Sequence, residues 1–302
     1  MAASETAAIN FTLGSRRLLS VPRRLATWNF SLADVLTGSL PEAPACGRDG
    51  VRVLSAPTVR LADVAACYPG FIAGGRQDYH RHYIAMDQDF AAYMAQFSGK
   101  TRSTLRRKAK KLAQEAGGYT VSEHRTPAEV DAFLAAALPL SAKTYQARLL
   151  NAGLPDGPEA RLAMLAAAEA DQMRAFLLHA GDAPVAYLAL PVVGDTLVYA
   201  HLGYDPAYAR LSPGTVLQIE ALERLFGEQR YRWFDFTEGD GAHKQLFGTG
   251  HAACSSLVLL QPTRANRALL SARAGFDGTV AQAKALAARS GVLGRVRALL
   301  RA

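Results

Sequence analysis

Two tight turns set one strand's length apart constrain this chain more than any other feature. Arg174-Ala-Phe-Leu-Leu-His-Ala runs into Gly181-Asp182, a second apolar stretch follows to Pro191, and Gly194-Asp195 then opens Thr196-Leu-Val-Tyr-Ala-His-Leu-Gly-Tyr. Gly-Asp between apolar runs is the chemistry of a two-residue hairpin turn. The pattern predicts three consecutive antiparallel strands, the last of them unbroken from 196 to 204. An amphipathic helix over 216–228 comes next, then the apolar strand beginning at Tyr231, and residues 251–260 supply a last strand.

Upstream the period changes to helical. Phe90, Tyr93, Met94 and Phe97 stand at helical spacing, Ser98-Gly99 breaks the run, and Leu105, Ala109 and Leu112 make a narrow apolar stripe on a second helix that ends at Gly117-Gly118. Residues 119–124 read as a strand. Thr126-Pro127-Ala-Glu129 is a helix start, with a cap, proline at the first position and an acid at the third, and that helix is expected to run to about Leu138. A further helix is expected over 158–173. The first hundred residues read as strands and turns: a hairpin around Gly14-Ser15, a short strand at 51–54 and another at 79–85, with Pro41, Pro44, Gly47 and Gly50 marking an irregular connection. The fold class is therefore α/β, with a mixed, mostly antiparallel sheet flanked by helices. Residues 1–86 form a strand-rich domain, 87–262 the mixed domain and 263–302 a basic amphipathic helical tail.

No apolar run approaches the roughly 20 residues that a spanning helix needs. The N-terminal residues lack a basic region followed by an apolar one, so a secretory signal is not expected and a cytoplasmic location is. Cys46, Cys67 and Cys254 are odd in number and widely spaced, which favours free thiols over a metal or disulfide framework. His80 and His82 share a strand face but lack a third ligand in view, so they are expected to be surface histidines and no metal is expected.

Charge is concentrated. Residues 100–111 carry seven basic groups and no acid, and residues 264–302 carry eight against Asp277 alone, so the rest of a chain with net charge +8 is acidic overall. Uninterrupted like charges on a helix repel by a few tenths of a kcal/mol per i,i+4 pair, and a phosphate-bearing partner would relieve that: a nucleotide, an anionic membrane or, less favoured, RNA. Near the end of the chain, Val292, Leu293, Val296, Leu299 and Leu300 make an apolar stripe flanked by arginines, so residues 289–301 either pack on the protein or lie on an anionic membrane surface.

Two short stretches carry chemistry. Ser212-Pro213-Gly214-Thr215 lies between a strand and a helix with Arg210 upstream, where unpaired N–H groups and the helix dipole can hold an anion; the plain alternative is a Ser212 cap with proline at the first helical position. Phe234-Asp-Phe-Thr-Glu-Gly-Asp-Gly-Ala-His-Lys follows the apolar strand and packs Asp235, Glu238, Asp240, His243 and Lys244 into ten positions. Asp235 is expected to be buried among aromatics, and a cap by Asp240 with an Asp240–Lys244 pair is the plain reading of the short helix that follows.

The order of strand pair, small-residue loop with upstream arginine, helix and further strand resembles the acyl-CoA-binding half of the GNAT acyltransferase superfamily, and more narrowly its BioF2-like or CelD-like branch. The resemblance rests on the basic segment beginning at Gly99, on Leu202-Gly-Tyr-Asp, on Leu211-Ser-Pro-Gly-Thr-Val-Leu and on the charged run, and it covers residues 87–260. The superfamily's loop usually places its arginine three residues before the first glycine, whereas Arg210 stands four before Gly214. Related FemAB-type transferases carry two such units, and the strand-rich reading of residues 1–86 permits a degenerate first one.

The resemblance implies direct transfer of an acyl group from acyl-CoA to an amine, without a covalent enzyme intermediate. It implies donor binding by Arg210, Ser212, Gly214 and Thr215, with Lys244 as a further cation, and an oxyanion donor from the backbone of the strand after Gly194. Tyr204 is the acid expected for the departing thiolate; Glu238 is the first choice of base, with Asp235, His243 and His201 as the others. A lipid-like acceptor is preferred, as in GNAT-type bacterial ceramide synthases. The alternatives are an aminoacyl-tRNA-dependent transferase and a non-catalytic module of polysaccharide or membrane assembly.

Overall fold

The computed structural model describes residues 5–13, 16–144 and 153–289 of the chain. In chain order the elements are β1 (Glu5–Leu13), β2 (Arg16–Asn29), α1 (Leu32–Thr37), β3 (Gly50–Pro57), α2 (Leu61–Ala66), β4 (Ile72–Ala85), α3 (Phe90–Ala95), α4 (Gly99–Glu115), β5 (Thr120–His124), α5 (Pro127–Ala142) and α6 (Pro158–Glu169). They continue with β6 (Met173–Ala180), β7 (Ala183–Val193), β8 (Thr196–Val198), β9 (His201–Tyr204), α7 (Pro213–Gly227), β10 (Trp233–Asp235), α8 (Ala242–Phe247), β11 (Gly250–Leu260) and α9 (Arg264–Arg289). Residues 81–251 form one compact unit; residues 1–80 with 252–302 form the other.

In the unit containing the N-terminus, β1 and β2 make the expected hairpin, β2 runs parallel to β3, and β3 is antiparallel to the later part of β11. Trp28, Phe30, Val51, Val53, Val64 and Leu257 build its core. The sequence alone sets residues 263–302 apart as a tail, but α9 packs on β1, with the Phe276 and Phe11 rings 5.5 Å apart. Pairing of β11 with β3 returns the chain to this unit, which is why its start and end share one core. The apolar stripe from Val292 to Leu300 lies outside the described residues.

The other unit carries strands in the order β4-β10-β8-β7-β6-β5, with β9 also on β7. Every pair is antiparallel except β8 with β10. β6 and β7 read as continuous apolar runs because both of their faces are covered. Ala175, Leu177, Tyr187 and Ala189 meet Phe133, Leu134 and Ala137 of α5, while Phe176, Leu178, Leu188 and Leu190 meet Leu217, Leu222 and Leu225 of α7. Successive strand residues thus alternate between two cores.

Three departures from expectation bear on the surroundings of the candidate site. α5 continues through Pro139 to Ala142, because Leu140 and Ser141 are each 3% exposed and the Ser141 hydroxyl accepts from the Leu154 N–H and the Tyr187 hydroxyl. α6 stops at Glu169, and Met173 already belongs to β6. The strand predicted over 196–204 is two strands, β8 and β9, interrupted at Tyr199-Ala200. The candidate site lies at that interruption.

Candidate active site

β8 and β10 run side by side, pairing Thr196 with Trp233, Leu197 with Phe234 and Val198 with Asp235. One further bond, from the Tyr199 N–H to the Asp235 carbonyl at 2.8 Å, closes the pair. The Ala200 N–H then turns back onto the Val198 carbonyl at 2.8 Å, a three-residue turn, and β9 continues on β7. Two parallel neighbours therefore part after Tyr199. The Asp205 N–H donates to the Val185 carbonyl at 2.9 Å in the same register, so alternation directs His201 and Gly203 to β7 and turns the Leu202 and Tyr204 N–H groups toward the side that β10 has left.

The two faces of β9 differ. A Cβ on Gly203 would lie 2.4 Å from the Tyr187 ring, whose hydroxyl donates to Ser141 of α5, so Gly203 and His201 face α5. A Cβ on Gly214 would meet Leu202 Cδ2 at 3.0 Å and Tyr204 Cδ1 at 3.2 Å, so Leu202 and Tyr204 face the start of α7.

Pro213 takes the first helical position, but Ser212 does not act as the expected side-chain cap. Its backbone is left-handed, with φ 55°, and its hydroxyl caps none of the N–H groups of the first turn. The α7 N-terminus thus keeps its anion-binding character. Cations come to it from α4, where Lys108 Nζ lies 3.4 Å from Thr215 Oγ1 and Lys111 Nζ 3.4 Å from the Arg210 carbonyl. The Arg210 guanidinium is paired with Glu115.

After β10 the charged run divides. Asp235 is 0% exposed and accepts a bidentate pair from Arg81, at 3.0 Å from Nε and 2.5 Å from Nη2, plus the Thr237 N–H at 2.8 Å. That last bond folds Thr237 to φ 60°, a costly conformation for a β-branched residue. Lys244 donates to the Glu238 carbonyl, and burial holds its ammonium below the usual lysine range. The Glu238 and Asp240 side chains are exposed. Asp240 is not the expected helix cap: α8 starts after Gly241, and Asp240 Oδ1 lies 3.5 Å from His82 Nε2. His82 is accordingly a buried histidine rather than a surface one.

His243, in the first turn of α8, stands where the strands part. Its ring lies 6.2 Å from that of Tyr199, 6.2 Å from Phe236 and 4.7 Å from Phe247. Its Nε2 is 2.6 Å from Oε1 of Gln218, which is 0% exposed on α7. With the Gln218 amide oxygen toward the ring, the matching tautomer carries its proton on Nε2 and keeps the Nδ1 lone pair. Burial pushes the imidazole down to about 4, and the Lys108 and Lys244 charges act in the same direction. Burial also raises the Tyr199 phenol well above its usual range.

The structure brings Tyr204, Gly214 and Thr215 together beside Lys108, and α7 links them through Gln218 to His243, in the same short segment as Asp235, Glu238 and Lys244. It does not bring His201 there: that imidazole, lowered by burial, is on the α5 face of β9. Gln218, Arg81, Lys108 and Tyr199 belong to the arrangement without having been singled out from sequence. Gln218 had a signal, as a polar residue on the apolar stripe shared by Gly214, Leu217, Ala221, Leu222 and Leu225. Among the described residues, no group of three or more His, Cys, Asp or Glu is placed to hold a metal ion.

Parted parallel strands beside an anion-ready helix start define a class. Residues 99–245 match the family model for the acetyltransferase (GNAT) domain. The C-terminal DUF2156 domain of an Agrobacterium fabrum protein named as a lysylphosphatidylglycerol synthetase is similar in structure, with TM-score 0.50 and 14% identity over 75% of this chain and 72% of that one. L-PGS from Bacillus licheniformis matches with TM-score 0.47 and 16% identity over 74% and 72% of the two chains, and FemX with TM-score 0.47 and 12% identity over 70% and 72%. At 14% identity the first of these likenesses is one of fold alone. No curated protein matches this sequence.

Proposed function

We propose that the unit of residues 81–251 transfers an acyl group from acyl-CoA directly to a primary amine. The observation that carries this is the His243 imidazole, held through Nε2 by Gln218 and standing where the chain that runs from β8 into β9 parts from β10. The amine nitrogen attacks the thioester carbonyl carbon and its proton passes to His243 Nδ1. The Leu202 or Tyr204 N–H receives the developing oxyanion, the C–S bond breaks, and the Tyr204 hydroxyl protonates the thiolate; the proton held by His243 then returns through solvent to the Tyr204 phenolate, restoring both groups. In this reading Thr215, the backbone at Gly214 and Lys108 hold the donor's pyrophosphate, and Arg210 joins them only by leaving Glu115. Arg81 and Asp235 position Thr237 and Lys244. Glu238, exposed after β10, attracts the ammonium to the cleft mouth, where it loses one proton to solvent and enters as the free amine.

Leu246, 46% exposed on the same short helix as His243, favours an apolar acceptor such as a lipid-like amine, for instance a sphingoid base. A second reading, aminoacyl-tRNA-dependent transfer, is favoured by the exposed Lys100, Arg106, Arg107 and Lys110 of α4. Thiol release from acyl-CoA of varied chain length on adding candidate amines tests the first reading. Amine-dependent release supports it; no release with any chain length, together with no acyl-CoA binding, removes it. RNA affinity that falls steeply with salt would then support the second.

Gln218→Leu leaves the His243 ring without its acceptor, so the Nε2–H tautomer is no longer imposed. Loss of such an orienting partner is expected to lower kcat by about 10-fold with the acyl-CoA KM unchanged, in line with other second-layer partners of histidine. Nitrogen NMR of the imidazole is expected to show tautomer averaging. Unchanged kcat and an unchanged tautomer would show that Gln218 only fills space.

A further inference from the structure

We infer that the unit formed by residues 1–80 and 252–302 holds an anion site of its own, for a phosphate-bearing ligand, in a hollow of about 380 Å³ lined by Pro22, Arg23, Arg24, Arg48 and Asp49. Three arginines meet one carboxylate there, and that carboxylate is already in use, since Asp49 Oδ2 accepts the Arg24 N–H at 2.7 Å. Among the described residues none of the three arginines forms an ion pair. Like charges held around one hollow repel, and a phosphate group matches guanidinium donors in both charge and geometry.

The arrangement is built rather than incidental. The Asp49 N–H donates to the Arg24 carbonyl at 2.9 Å, and the Gln261 N–H donates to the Asp49 carbonyl at 3.0 Å. A Cβ on Gly47 would lie 2.7 Å from both the Arg24 carbonyl oxygen and the Ala26 nitrogen, so only glycine lets this loop lie against β2. Arg48 is thereby fixed beside Arg23 and Arg24. Arg23 is oriented by Asn266, 3% exposed in the first turn of α9, whose Oδ1 accepts from Nε at 3.0 Å and whose Nδ2 donates to the Gln261 carbonyl at 3.0 Å. With Nε so engaged and Nη1 donating to the Pro22 carbonyl at 2.9 Å, Arg23 is the anchored member, while Arg24 and Arg48 are exposed and available.

The ligand is a phosphate ester or diphosphate, either soluble or as the headgroup of an anionic lipid. The test uses the full chain and its Arg24→Gln/Arg48→Gln variant, which keeps the anchored Arg23. Inorganic pyrophosphate is titrated calorimetrically, and cosedimentation is measured with phosphatidylglycerol vesicles and with neutral phosphatidylcholine vesicles. The expected result is at least a 10-fold weakening of binding in the variant, with an unchanged urea midpoint, and the same weakening when both changes are made in a Lys108→Gln background, which removes the pyrophosphate contact proposed at α7. Weakening toward pyrophosphate assigns a soluble phosphate; weakening confined to phosphatidylglycerol vesicles assigns the headgroup. Equal binding by variant and wild type, or binding of neither probe by wild type, overturns the site.

Discussion

His243→Gln is expected to lower turnover by about 10²- to 10⁴-fold, the range that a positioned proton acceptor supplies, with little change in affinity for the thioester. Glutamine can still hydrogen-bond to Gln218 and fill the space against Phe247, so the loss would report chemistry rather than collapse. The sign of the pH dependence follows from burial. A folded-state value of about 4, below the ordinary histidine range, leaves Nδ1 able to accept a proton throughout the neutral range; the acid limb of kcat is expected as pH falls through about 4. The same shift makes the folded state bind fewer protons than the unfolded chain between the two values, so stability declines as pH falls across that window, and His243→Gln removes that part of the decline. Full activity in the variant would move the base elsewhere. Glu238→Gln then discriminates: a loss larger than that of His243→Gln would assign the role to the exposed carboxylate.

Arg81→Met is expected to destabilise the unit of residues 81–251 by about 3–5 kcal/mol, because it leaves Asp235 charged, dry and unpaired. Asp235 is 0% exposed and both of its oxygens face Arg81, so water cannot replace the guanidinium without opening the core around Phe234 and Phe236. Arg81→Met/Asp235→Leu, which removes both charges, is expected to recover most of the loss. Activity would not recover with it, since the Thr237 turn depends on Asp235 Oδ1. Urea unfolding of the three proteins is the measurement; a cost below about 1 kcal/mol for Arg81→Met would place the pair with ordinary surface ion pairs.

The parts of this molecule legible in the sequence are those whose cause is local. Gly-Asp turns between apolar runs gave the hairpins of β6 to β8, and Leu105 and Leu112 marked the buried stripe of α4 because helical period is a property of neighbours. Thr126 and Glu129 form the capping box their spacing predicts. What escaped is set by distant partners. Arg81 and Asp235 are 154 residues apart, and nothing around Arg81, in an alternating strand of tyrosines and histidines, marks it as a buried counter-ion. The break at Tyr199-Ala200 interrupts a stretch that reads as one strand after the Gly194-Asp195 turn, and the competition of β10 and β7 for that strand is what divides it. Asp240 looked like a cap because the chain before α8 was read without its partner, His82. His243 was visible as a candidate, but its preference over Glu238 rests on Gln218, which lies across the fold on another helix.

The measurement that bears most directly on the central claim is a crystal structure with a non-hydrolysable acyl-CoA analogue. The prediction is that the pantetheine arm runs between β9 and β10, with the acyl carbonyl within hydrogen-bond distance of the Leu202 or Tyr204 N–H, the sulfur beside Tyr204 and the pyrophosphate at Gly214, Thr215 and Lys108. An analogue bound away from the parted strands, with His243 out of reach of its acyl carbon, would contradict it.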